Sequence, residues 1–295
     1  MLDHCILFGH RGHLAQTRVI PQLEKRGVTY TGVSRSSISD LSTYYNKNVF
    51  AFMSIPTSNI IETIDPYLED FEQIQPKVIL EKPHGDSIHN FTKICNNLDF
   101  HHIDYIFNDH YIFKKDIIGM NNIIDENEFS KIHHINFKIH EDECINDRIQ
   151  YFDSVGILLD MYQSHVLMIV AKIISLKYHI SIDDVLYTVS KTPYEVISSG
   201  KYPSYLGTND TYCVLNLKIY DVNITVDLKK NTDVAKKQID IYDDCDKLLH
   251  TLSLSNDNGY DTVLNNIIDE DFDSFIQKNQ IEQLWKHIEY NISHD

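Results

Sequence analysis

The chain has 295 residues, 42% hydrophobic and 23% charged, the balance of an ordinary globular protein with room for two domains. Its formal net charge of −17 argues against non-specific binding to nucleic acid or to anionic membranes. An anionic ligand would need a locally basic pocket working against that field.

Cys5–Phe8 is a short apolar run ending at Gly9, and Leu14–Leu23 follows with helical spacing. This predicts a strand, a tight turn and a helix. Gly9 and Gly12 let the backbone turn, and the helix N-terminus offers N–H groups to a diphosphate. Read alone, GxxGxxA is equally a plain strand–helix turn. Val28–Val33 predicts the second strand, ending at Ser34–Arg35–Ser36 with no acid to hold a ribose 2′-hydroxyl. A guanidinium there suits the 2′-phosphate of NADP.

Val49–Met53, Lys77–Leu80 and Tyr105–Phe107 predict further strands, with helices over Asn59–Phe71 and Ser87–Leu98 between them. The alternation indicates a doubly wound parallel sheet. Glu81–Lys82–Pro83 and Asp109–His110–Tyr111 then fall at the carboxyl ends of strands, where such sheets collect ligands.

From about Lys115 the pattern changes. Ile132–Ile139, Cys213–Tyr220, Val222–Leu228 and Gln238–Tyr242 read as strands, and Tyr151–Ser175 as one long helix. The expectation is an α/β architecture in two parts. Residues 1–114 form a Rossmann domain, and residues 115–295 an α+β domain with a mainly antiparallel sheet. Phe275, Ile276, Ile281, Leu284, Trp285 and Ile288 mark a C-terminal amphipathic helix, and Asp269–Asp273 a solvated turn. The five cysteines show no CxxC and read as reduced thiols. With no basic leader and no membrane-spanning run, the expected location is cytoplasmic.

The stretch YFDSVGILLDMYQSHVLMIV, Tyr151–Val170, is apolar yet carries Asp160, Gln163 and His165. A histidine on such a helix is ordinarily a hydrogen-bonded core residue. Five positions on an α-helix put Asp160 and His165 about 140° apart, off a common face.

Four motifs in order, ILFGHRGHLAQTRVIPQL, LEKPHG, NDHYIFKK and YFDxxGxxxDxxQxH, resemble the glucose-6-phosphate dehydrogenase family, which reads GASGDLA, EKPFG, DHYLGKE and YFDEFGIIRDVMQNH there. The resemblance is to a shortened, divergent member. It implies hydride transfer from C1 of glucose 6-phosphate to NADP, giving the lactone of the pentose phosphate pathway. His165 would be the base, Asp109 its orienting carboxylate, and Lys82 a contact to both substrate and cofactor across a cis bond before Pro83. His110, Tyr111, Lys114 and Lys230 would bind the sugar phosphate, with Glu141 and Asp160 on its hydroxyls. Gly9, Arg11, Gly12, His13, Leu14 and Arg35 would hold NADP. No metal is implied, and a homodimer would form through the second-domain sheet.

Departures qualify the match. His13 stands in place of an Asp and Arg11 in place of a Ser in the cofactor turn, while Leu159 and Ala235 replace arginines. Two other readings therefore stand beside it. One is a glucose–fructose oxidoreductase-type sugar reductase, which usually carries DxGxH with Asp and His four apart. The other is a non-catalytic sensor of NADP or sugar phosphate descended from the enzyme.

Overall fold

A computed structural model describes residues 4–34, 40–142, 144–145, 149–255 and 259–293. The chain divides into two compact units, Met1–Phe113 with Asn258–Lys278, and Lys114–Asp257 with Asn279–Asp295.

The first unit is built on five strands: β1 His4–Phe8, β2 Thr29–Val33, β3 Val49–Met53, β4 Lys77–Glu81 and β5 Tyr105–Asn108. They pair in parallel in the order β2-β1-β3-β4-β5. Helices on a parallel sheet cover both faces, so its inner strands run almost wholly apolar. VFAFM of β3 is buried at every position. The helix expected over Asn59–Phe71 is broken instead into Ile60–Ile64, a 3₁₀ turn at Asp65–Tyr67 and Leu68–Ile74. Pro66 causes the break, since it has no N–H to donate and its ring crowds the preceding turn.

Asn258–Lys278, which the sequence reading placed with the second domain, belongs to this unit. Its helix Tyr260–Ile268 packs Tyr260, Val263, Leu264 and Ile267 into one core with Leu7, Phe50, Phe52 and Ile79. Phe107 and Ile276 exchange backbone hydrogen bonds at 3.4 and 3.2 Å. Ile276 is thus bridged to β5 rather than helical.

The second unit carries a six-stranded sheet: β6 His134–His140, β7 Tyr194–Gly200, β8 Tyr212–Ile219, β9 Val222–Lys229, β10 Lys236–Tyr242 and β11 Leu248–Ser253. Its order is β11-β10-β6-β9-β8-β7, antiparallel except for the central β6–β9 pair, which is parallel. The alternation of Ile135, Phe137 and Ile139 on β6, and of Ile224, Val226 and Leu228 on β9, supplies the buried face.

The expected single helix over Tyr151–Ser175 proves to be three segments. Ile149–Ile157 contains Gly156 at φ 66, Leu158–Val166 is a π-helix, and Leu167–Tyr178 returns to α-helical geometry. This stretch is long and apolar enough to cross a membrane by length and composition, and 83% of its most apolar window is buried inside the protein. The final helix, Lys278–Ile292, buries Ile281, Leu284, Trp285 and Ile288 as its periodicity predicts. Asp269, Asp271 and Asp273 lie exposed in or beside turns, and no disulfide joins the cysteines among the described residues.

Candidate active site

In the first unit the chain leaves β1 through Gly9, whose φ is +73. A Cβ added there would stand 2.2 Å from the Ser54 carbonyl oxygen at the end of β3, so only glycine fits. Gly9 donates its N–H to Val33 O at 3.0 Å and Gly12 donates to Gly9 O at 2.8 Å. Arg11, Gly12 and His13 are exposed, and Leu14 is half-buried against the core below. The helix begins at His13, and the first N–H groups of any helix lack intrahelical partners. Arg35 lies outside the described residues.

β4 and β5 end side by side, with Glu81 opposite Asn108. Lys82–Pro83 is a cis bond, as expected. Glu81 is buried; Asn108 donates its side-chain N–H to Oε1, and the Tyr260 hydroxyl donates to the same oxygen at 3.0 Å. Burial pushes the Glu81 carboxyl up to about 7, against the pull of those two donors and of Lys82. His84 is buried with Nε2 3.1 Å from Asn108 O, and burial drops it to about 4. It is therefore neutral near pH 7 and donates through Nε2.

Asp109 is fully buried and accepts the Tyr111 N–H on Oδ1 at 2.9 Å. Burial raises its pKa, opposed by His110 and by that hydrogen bond. The His110 ring lies stacked on Tyr260, centroids 5.2 Å apart and 20° from parallel, and Tyr111 is buried beside it. Lys82, Asp109, His110 and Tyr111 thus gather at the ends of two adjacent strands. Lys114 falls in the second unit, buried, with Nζ donating to Ser255 O at 2.8 Å.

In the second unit, the π-helical stretch changes the expected geometry. The Leu167 N–H donates to Tyr162 O, five residues back. Bonding with that span places residues five apart over one another. Asp160 and His165 therefore share a face, contrary to the α-helical expectation, and both are buried. Ser164 donates its hydroxyl to Asp160 O at 2.9 Å inside the same turn.

The stretch packs against β9. β6 and β9 run in parallel with His140 opposite Lys229, so Glu141 and Lys230 emerge together at the same end. Lys230 Nζ lies 2.6 Å from Glu141 Oε2 and 2.6 Å from Asp160 Oδ2. Lys237, on β10, stands 3.7 Å from Glu141 Oε1. Burial alone would raise the Glu141 pKa, but Lys230 and then Lys237 overcome it and hold the carboxyl well below the usual range. Three residues expected at the sugar phosphate, Glu141, Asp160 and Lys230, thus form one ion cluster. Sequence reasoning missed Lys237; the basic pair Lys236–Lys237 beside Ala235 was its only signal. It missed Glu81 and Tyr260 too, since nothing local links residues 179 positions apart.

Residues 120–186 match the model of the glucose-6-phosphate dehydrogenase C-terminal domain. A glucose-6-phosphate 1-dehydrogenase of Buchnera aphidicola subsp. Schizaphis graminum is 30% identical over 134 residues, 42% of this chain and 27% of that protein. The matched stretch thus spans little more than a quarter of that relative's length. A solved glucose-6-phosphate dehydrogenase in complex with glucose-6-phosphate superposes with a TM-score of 0.73 at 14% identity, over 97% of this chain and 90% of that one. A 3-ketoreductase from Actinomadura kijaniata in complex with TDP-benzene and NADP gives 0.66 at 10% identity, covering 100% and 96%. At such identities these two likenesses are of fold. The chain thus resembles the glucose-6-phosphate dehydrogenase family in the sequence of residues 120–186 and in its fold.

Proposed function

We propose that the chain is an NADP-dependent dehydrogenase that oxidises C1 of glucose 6-phosphate to the lactone. The observation carrying this reading is the Glu141–Lys230–Asp160 cluster with His165 on the same helical face as Asp160. It offers hydroxyl acceptors, a cation and a base from one end of one unit.

NADP fits the turn after β1, where Gly9 permits the close approach to Ser54 and Arg11, Gly12, His13 and Leu14 border the start of the helix. Arg35 would meet the 2′-phosphate, and Lys82 the nicotinamide end. NADP supplies the hydride acceptor when bound. His165 takes the C1 hydroxyl proton as hydride leaves, and the family resemblance assigns Asp109 the part of an orienting carboxylate. The family resemblance assigns His110, Tyr111, Lys114 and Lys230 to the phosphate. A homodimer through the six-stranded sheet and a cytoplasmic location belong to the same reading.

The test is NADP reduction, followed by NADPH absorbance, with glucose 6-phosphate and other sugar phosphates. Activity with glucose 6-phosphate that disappears in His165→Asn supports the reading; a wild-type protein that binds both ligands without reducing NADP defeats it. The likeness in fold to a 3-ketoreductase supports a second reading, a sugar reductase. That reading expects NADPH consumption with a keto-sugar and none with glucose 6-phosphate.

A further inference from the structure

Inside the second unit a string of buried polar groups joins the π-helical stretch to the final helix. Tyr162 lies in the π-helical stretch, between Asp160 and His165, and is fully buried. Its hydroxyl lies 2.9 Å from His287 Nε2 on the final helix, and His287 is also fully buried. His287 Nδ1 lies 2.7 Å from Val189 O, the last carbonyl of the helix Ile182–Val189. A carbonyl only accepts, so Nδ1 carries the proton, Nε2 accepts, and Tyr162 must donate. Burial drops His287 to about 4, which keeps the ring neutral and this direction fixed near pH 7. One turn on, Asn291 donates to His287 O at 2.9 Å and accepts the Tyr194 N–H at 2.7 Å. Tyr194 packs edge-on to Tyr162; burial, then Tyr194 and Cys213, push the Tyr162 hydroxyl well above its usual pKa.

A π-helix is the rarer backbone state and needs something to select it. Returning the stretch to α-helical winding would turn the Tyr162 side chain by up to about 100° relative to the following turn. The hydroxyl would then be buried without its acceptor, a costly state. The string therefore discriminates between the two windings, and only the π-helical one puts Asp160 and His165 on a common face.

We propose that Tyr162 and His287 are a positioning pair, whose hydrogen bond ties the π-helical stretch to the final helix and fixes the shared face of Asp160 and His165. The assignment rests on the dehydrogenase reading only for its kinetic readout. Four variants of the full chain test it: His287→Leu, Tyr162→Phe, both together, and His287→Gln, which keeps an acceptor near the Nε2 position. Two readouts apply. The titration of the His165 imidazole is followed by NMR, and kcat and KM with glucose 6-phosphate are measured.

His287→Leu is expected to move the His165 titration and to lower kcat by roughly 10- to 100-fold, the scale of a catalytic group displaced by about 1 Å, with KM less affected. Tyr162→Phe, which leaves no buried hydroxyl behind, should move the titration in the same direction and serves if His287→Leu fails to fold. The double variant should melt near the wild type yet keep the displaced titration, while His287→Gln restores it. An unchanged His165 titration in the single variants, or a double variant with wild-type titration and kcat, overturns the proposal. Should the wild type reduce no NADP, the dehydrogenase reading fails and the NMR arm still decides this one.

Discussion

Lys230→Met would remove the cation that Asp160 and Glu141 share. Lys230 and Asp160 are 7% and 6% exposed, so the buried Asp160 carboxylate and the partly buried Glu141 would lose the cation between them. Removing one partner of a buried ion pair costs about 3–5 kcal/mol. The lower end applies here, because Lys237 still stands 3.7 Å from Glu141, whose side chain is one-fifth exposed. The pH dependence is the sharper test. In the wild type the Glu141 pKa is depressed, so its contribution is present above the ordinary glutamate value and is lost as pH falls through the lowered one. Without Lys230, burial dominates and the folded-state pKa rises above the unfolded one. Stability of the variant then decreases as pH rises, by up to about 1.4 kcal/mol per unit. Urea unfolding at several pH values between 4.5 and 8, a range of roughly the window where a raised carboxyl titrates, should show the gap between the proteins widening with pH. A gap that is constant, or below about 1 kcal/mol throughout, would refute the shared-cation account.

Arg35→Ala should weaken NADP binding by roughly 1.5–3 kcal/mol, the range for a charge-assisted hydrogen bond, and leave NAD nearly unaffected; equal losses by fluorescence titration would remove Arg35 from the site. His165→Asn should lower kcat/KM by about 10²–10⁴-fold, and a cycle with Asp109→Asn should be strongly non-additive if the two residues act as one unit. Glu81, raised to about 7, disfavours folding as pH rises from the ordinary glutamate value toward 7. Glu81→Gln should therefore flatten the stability profile there and recover up to about 3 kcal/mol above pH 7; an unaltered urea-melt profile would show that Glu81 does not carry that slope. Gly9→Ala should cost stability and NADP affinity together, because the Ser54 carbonyl must move; wild-type values of both would contradict the tight turn.

The strands of the first sheet were legible because parallel strands buried on both faces are nearly continuous apolar runs. Strands β7 and β11 were not, since each is an outer strand, and YEVISSG is exposed along most of its length. The π-helical stretch was equally hidden. One extra residue per turn leaves no compositional mark, and Gly156 was visible only as a letter within YFDSVG. The break at Pro66, by contrast, could have been read directly. Of the candidate site, Asp109 and His165 came from motif resemblance, and the meeting of Glu141, Asp160 and Lys230 depends on strand pairing across about ninety residues, which no local pattern encodes.

The return of Asn258–Lys278 to the first unit bears on the order in which the chain can fold. Domains usually fold as they leave the ribosome, N-terminal first. Here Leu7, Phe50, Phe52 and Ile79 share their core with Tyr260, Val263, Leu264 and Ile267, and β5 is bridged to Ile276. During synthesis the nascent parallel sheet must therefore wait, with one apolar flank bare, while the whole intervening unit is made. A chaperone holding that flank, or early folding of the second unit in between, would shape the yield of native protein. A nascent chain stalled before Tyr260 should remain protease-sensitive in its first hundred residues, on the order of one domain's length.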